Sequence, residues 1–232
     1  VKLRLEEAMK KLLVIALVLI AVPAFAQQTL NYSWEDGGTI LSSFGNFCCE
    51  TNVAGPQVGS QGSVVGPYTC PGAQEGTYYL HFAEAPHSGT PYAGVAHVTG
   101  LQDGDIVTAE FYGYDITPGS SPSLRIWGHY TDGADPTSYL GSASGNSDYT
   151  AGTGWDPVSH TWTFDSATDP LRLGLLIEAR AYSTPSTNDP DHTDYWVDNL
   201  TVTAPDHATI VFAEGPVSVE DASWTSVKAL YR

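Results

Sequence analysis

The chain has 232 residues, of which 42 % are hydrophobic and 15 % charged, and 26 acidic against 9 basic residues give it a formal charge of −17. A field of that sign repels phosphate backbones and argues against nucleic acid as a partner, whereas it suits divalent cations, neutral glycans or simple solubility in a saline exterior. With 23 glycines and 15 prolines and little helical periodicity, the composition points to strands and turns.

At the start, Met9-Lys10-Lys11, an apolar run over 12–22 and Ala24-Phe25-Ala26 follow the charged, apolar and small-residue order of a secretory signal. Cleavage is expected between Ala26 and Gln27, with export to the periplasm or the exterior, and residues 1–8 read as an upstream extension. The apolar run is about half of the ~20 residues a spanning helix needs. No later segment is long and apolar enough, so no membrane span is expected. The chain divides into the leader at 1–26, one sandwich-sized domain at 27–204 and a tail at 205–232. Within the domain the basic residues are Arg125, Arg172 and Arg180.

Cys48, Cys49 and Cys70 are the cysteines. In an oxidising compartment one bridge is expected, from Cys70 to either Cys48 or Cys49, because vicinal cysteines pair poorly with each other. The spacing lacks the paired pattern of a zinc site.

Candidate strands are 30–34, 77–84, 94–98, 105–114, 123–131, 160–164, 171–182 and 195–203, separated by clusters of Gly, Pro, Asn, Asp and Ser. About eight such strands at irregular spacing predict an all-β fold, a jelly-roll β-sandwich. Asp103-Gly104 supplies the positive dihedrals of a tight hairpin. In 195–203, alternation places Trp196, Asp198, Leu200 and Val202 on one face and Tyr195, Val197, Asn199 and Thr201 on the other. A carboxylate on an apolar face is costly unless it meets a cation or several donors, which singles out Asp198. Residues 208–219 read as a linker or an edge strand. Residues 223–232 read as a short C-terminal helix, capped by Ser223, with Trp224, Val227 and Tyr231 on one side. Ten residues are too few to be stable alone, so this tail is a candidate for docking or self-assembly.

Four segments carry a family resemblance: Trp34-Glu35-Asp36-Gly37, Glu75-Gly76-Thr77-Tyr78-Tyr79-Leu80, Val98-Thr99-Gly100-Leu101 with Asp103-Gly104-Asp105, and Tyr195-Trp196-Val197-Asp198-Asn199-Leu200. They resemble the carbohydrate-binding jelly rolls appended to xylanases and cellulases. The resemblance implies a non-catalytic domain that binds an extracellular polysaccharide or cell-surface glycan. It also implies a structural calcium where the first strand's acid approaches the last strand's Asp, here Glu35 and Asp198, with Asp36 as neighbour and carbonyls near Gly76 completing an oxygen shell.

For the glycan, the expected platform is aromatic rings flanked by polar groups on a sheet face. Strand parity groups Arg125 with Trp127 and His129, Glu178 with Arg180 and Tyr182, and Tyr112 and Tyr114 with Glu110. One mixed surface results if these sets line the same sheet. The same residues also suit an internal salt bridge from Glu178 to Arg125 or Arg180. No Gly-x-Ser-x-Gly elbow or paired-acid strand motif suggests catalysis. The competing reading is a structural or adhesive surface protein that assembles through its tail.

Overall fold

The computed structural model describes residues 26–44, 52–53, 64–65, 68–69, 72–84, 90, 92–116, 123–146, 148–166, 169–182 and 193–214. The expected leader up to residue 25, the three cysteines and the tail helix lie outside them. In chain order the strands are β1 (Gln27–Tyr32), β2 (Ser42–Phe44), β3 (Asn52–Val53), β4 (Val64–Val65), β5 (Tyr68–Thr69), β6 (Leu80–Glu84), β7 (Tyr92–Thr99), β8 (Ile106–Asp115), β9 (Ser123–Thr131), β10 (Ser142–Gly145), β11 (Gly154–Thr163), β12 (Gly174–Tyr182), β13 (Thr193–Pro205) and β14 (Thr209–Phe212).

Two antiparallel sheets form. Sheet A runs β11-β8-β13-β6-β3, and β1 pairs the C-terminal half of β13 on the side away from β8. Sheet B runs β10-β9-β12-β7-β14, with β2 also on β7. β4 and β5 pair as a separate ribbon. From β6 onward successive strands change sheet, apart from the β9–β10 hairpin, and this wrapping is the jelly-roll pattern.

The facing sides form the core. Val107, Ala109 and Phe111 of β8 and Leu200 and Val202 of β13 meet Leu124 and Ile126 of β9 and Leu175, Ile177 and Ala179 of β12. Trp34, Trp162 and Phe164 plug it from the strand ends. Burial of such side chains contributes about 1.5–3 kcal/mol each before entropy is charged against it.

Strand 105–114 corresponds closely to β8 and 123–131 to β9. β11 begins earlier than expected, at Gly154, and β12 later, at Gly174, because a turn closed by Asp169 occupies 169–172. The segment read as linker or edge strand resolves into β14, which extends sheet B. Gly104 takes the positive φ its turn needs, +87°, yet the turn carries the chain from one sheet to the other instead of closing a hairpin.

The alternation expected for the terminal strand breaks at Asn199. Its φ is +50°, and the register with β8 shifts between Asp198 and Thr201. The bulge inserts one residue, so Tyr195 and Val197 face the core before it and Leu200 and Val202 after it. Trp196 instead packs on the outer side of sheet A against Tyr79. Leu200 and Val202 therefore do not share a face with Trp196 and Asp198.

Two of the sheet edges are blunted. Edge strand β11 carries Pro157, which has no N–H to offer, and edge strand β10 is four residues long with an irregular register and a positive φ of 64° at Ser144.

Next to β12, His97 of β7 is 4 % exposed and pairs its Nε2 with Thr131 Oγ1 at 2.8 Å. Gly174 makes room for them, since a Cβ there would lie 2.6 Å from His97 Nε2 and 2.7 Å from Thr131 Oγ1. Burial pulls the imidazole from 6.5 down to about 4, against the opposing charges of Asp135 and Asp132. A depressed histidine favours the neutral form in the fold, so its contribution is complete above pH 6.5 and is lost as the pH falls toward 4. That loss amounts to at most about 3 kcal/mol. His97→Gln should flatten the denaturant-derived stability curve across this window, and parallel curves for variant and parent would contradict the assignment.

Candidate functional site

Strict alternation in β9 and β12 sends alternate side chains to the outside of sheet B. β9 presents Arg125, Trp127 and His129, and β12 presents Glu178 and Arg180, with Arg125 directly opposite Arg180 and Trp127 opposite Glu178. Tyr92 of β7 lies opposite Arg180 on the other side. These residues form one continuous surface. Tyr182 pairs Ser123 through its backbone, and its side chain lies outside the described residues.

Tyr112 and Tyr114 are not part of this surface. Their strand, β8, belongs to sheet A, and both lie on its outer face, across the sandwich. Tyr114 packs edge-on against Trp155 and Trp196 in a second aromatic cluster that includes Tyr79. Trp155 closes that cluster with an Nε1–H bond to the Gly72 carbonyl, 2.9 Å.

Electrostatics organise the sheet B surface around Glu178, which is fully buried. Its Oε1 lies 2.5 Å from His129 Nδ1 and its Oε2 3.5 Å from Arg180 Nε. Neither contact is aligned as a hydrogen bond, since neither carboxylate oxygen has an aligned donor among the described residues. The internal salt bridge considered from the sequence thus forms with Arg180, not with Arg125, and His129 sits on the other carboxylate oxygen. Arg125 lies instead over the Trp127 ring at 4.4 Å and near the Tyr149 ring at 5.1 Å, while Arg180 approaches Trp127 at 5.0 Å. Burial lowers the Arg180 guanidinium from its usual value, with Glu178 opposing that shift. Trp127 also donates through Nε1 to Ser142 Oγ at 3.0 Å. Both guanidiniums thus lie against its ring.

The open space lies next to it. A cavity of about 520 Å³ is lined by Ser42 and Ser43 of β2, by Tyr92, His129 and Arg180, and by Thr137 and Tyr139 from the segment that crosses between β9 and β10. Two Asx turns shape that segment, Asp132 accepting from Ala134 N–H and Asp135 from Thr137 N–H. They deliver Tyr139, 64 % exposed, edge-on to the His129 ring at 4.7 Å, with Tyr92 against the same ring at 5.2 Å. Tyr92 is tied to Ser42, and burial raises its hydroxyl above the usual value. Sequence reasoning missed Ser42, Ser43, Tyr92, Thr137 and Tyr139. The available signal was a tyrosine in a turn-rich loop next to the strand bearing Trp127 and His129.

On sheet A, Glu35 and Asp198 converge on the segment 74–78. Asp198 Oδ2 accepts the N–H groups of Gln74 and Glu75, and its Oδ1 accepts that of Asn199. Glu35 Oε1 accepts the N–H groups of Thr77 and Tyr78, at 2.7 and 2.8 Å. Gly76 takes a φ of +66° beneath the Glu35 carboxylate, where a Cβ would collide with it. Burial pushes the Asp198 carboxyl up to about 6; the three N–H donors pull it down and the Glu35 charge adds to the rise. Asp36 turns away to Tyr32 Oη and Gly38 N–H. Among the described residues no three acidic, His or Cys side chains stand together as a metal set. The residues present therefore fit a calcium ion only as two carboxylates with lone pairs to spare, with backbone carbonyls and water making up most of its shell.

No family model matches this chain, and no curated protein matches it. Among solved structures, it is similar to the CBM22-1 xylan-binding domain of Paenibacillus barcinonensis Xyn10C, with 16 % identity, a TM-score of 0.45, and 78 % of this chain and 97 % of that one covered. It is similar to the xylan-binding module CBM15 at 15 % identity and a TM-score of 0.39, over 82 % and 100 % of the two chains. It is also similar to the Stig cyclase Fisc from Fischerella sp. TAU at 14 % identity and a TM-score of 0.36, over 79 % and 92 %. Two of these are carbohydrate-binding modules, the kind of domain the sequence motifs resemble, and one is an enzyme. At such identities and TM-scores the likenesses decide neither ligand nor chemistry.

Proposed function

We propose that this chain is an exported, non-catalytic carbohydrate-binding domain that takes an extracellular glycan in the cavity on the outer face of sheet B. The observation that carries the reading is the largely exposed Tyr139 ring, standing over a cavity lined by hydroxyls, His129 and Arg180. An exposed ring offers a sugar its apolar face, and fixed polar groups around it orient hydroxyls. The leader at 1–26 supports export, and sheet A begins at Gln27, where the mature chain would start. Calcium is proposed as a structural ion held by Glu35 and Asp198 with carbonyls of 74–78; when bound it neutralises the two carboxylates and clamps the segment over sheet A.

The glycan reading is tested with a polysaccharide panel by affinity electrophoresis and calorimetry. Tyr139→Ala should weaken binding by about tenfold, the value of one stacked ring, with an unchanged melting temperature because the ring is exposed. Retained affinity in that variant, or no binding to any glycan, would remove the reading.

The calcium reading predicts that excess chelator lowers the melting temperature and that Asp198→Ala abolishes this response, because an ion that binds only the folded state stabilises it. An unchanged curve in chelator, with no metal found by elemental analysis, would leave the N–H bonds of 74–78 as the sole partners of these carboxylates.

A further inference from the structure

Arg125 and Arg180 face each other directly across β9 and β12, an arrangement that like charges disfavour. In a chain of net charge −17, they form an island of positive charge. Among the described residues Glu178 is the one carboxylate in contact with them, and His129 Nδ1 lies closer to it than Arg180 does. It can offset at most one of the two guanidiniums. Trp127 lies against both cations, Arg125 at 4.4 Å and Arg180 at 5.0 Å. Packing on a ring takes up the flat side of a guanidinium and leaves its in-plane N–H edge for a planar anion. The Nε–H of each arginine is buried and meets no hydrogen-bond acceptor among the described residues. Arg180 itself lines the cavity, beside the Tyr139 ring.

We propose that the ligand of this cavity is an acidic glycan, one whose sugar carries a uronic-acid carboxylate that Arg180 receives at the cavity wall while Tyr139 covers the ring. This inference rests on the glycan reading and narrows it to a ligand class. A carboxylate matches the two-pronged guanidinium edge and balances the second positive charge, whereas a hydroxyl does neither.

The test compares paired probes on the full chain by calorimetry: an oligogalacturonate and a glucuronate-bearing xylo-oligosaccharide, each beside the same molecule after carboxyl reduction. The acidic member of a pair should bind about tenfold or more tightly, as a charge-assisted bond is worth, and the margin should shrink with added salt. Arg180→Gln, confirmed folded by its melting curve, should erase the margin, and Arg125→Gln should reduce it. Equal binding of acidic and reduced forms would overturn the acidic-ligand inference and leave the glycan reading standing. Binding by neither member of either pair, with neutral glycans still bound, would also overturn it, and absence of all glycan binding would remove both.

Discussion

Asn199 carries the constraint on which sheet A depends, because β13 pairs with β8, β6 and β1 and must hold all three while serving two different faces. A strand in strict alternation would put Leu200 and Val202 on the same side as Trp196 and Asp198. The left-handed turn of one residue, tolerated by asparagine better than by bulkier side chains, returns the apolar positions to the core and leaves Asp198 outside it. The same side chain then donates through Nδ2 to Gln74 Oε1 at 3.0 Å, next to the N–H groups that Asp198 holds. The break in the strand and the attachment of the covering segment are one local event, and the cluster of Tyr79, Trp155 and Trp196 lies between them.

Sheet B is organised differently, around a charge. A buried carboxylate is costly to desolvate, and Glu178 is tolerable because a histidine and an arginine from the same face approach it. That requirement sets where the rings stand. His129, drawn to Glu178, becomes the post against which Tyr92 and Tyr139 rest edge-on, and the cavity opens beside it. Core packing and site geometry thus meet in β12, whose one face is Leu175, Ile177 and Ala179 and whose other face is Glu178 and Arg180.

The part of this that could be read in advance follows from where alternation is unbroken. β9 and β12 keep a two-residue period along their shared pairing, so parity alone puts Arg125, Trp127 and His129 on one face of their strand and Glu178 and Arg180 on one face of theirs. Parity states which face of a strand a residue occupies, but not which sheet the strand joins, and this is why Tyr112 and Tyr114 were placed with them although β8 lies in sheet A. In β13 the bulge depends on contacts with β8 and 74–78, which no local pattern reveals. Tyr139 escaped because loops have no period, and its position follows from two Asx turns whose joint geometry emerges only when the segment docks on sheet B. Asp198 was recognised as a buried carboxylate needing partners, and the N–H groups of Gln74, Glu75 and Asn199 are those the fold supplies.

The blunted edges bear on how such a sandwich can act in numbers. Pro157 withholds a donor from the outer side of β11, and the kinked four-residue β10 gives a neighbouring strand too little straight backbone to follow. These two edges are poor templates for a neighbouring copy, so growth of an intermolecular sheet through them is disfavoured. For the glycan binding proposed above, gains in avidity would then come from several independent domains lying along one polysaccharide, each contributing its own contact and a high effective concentration for the next.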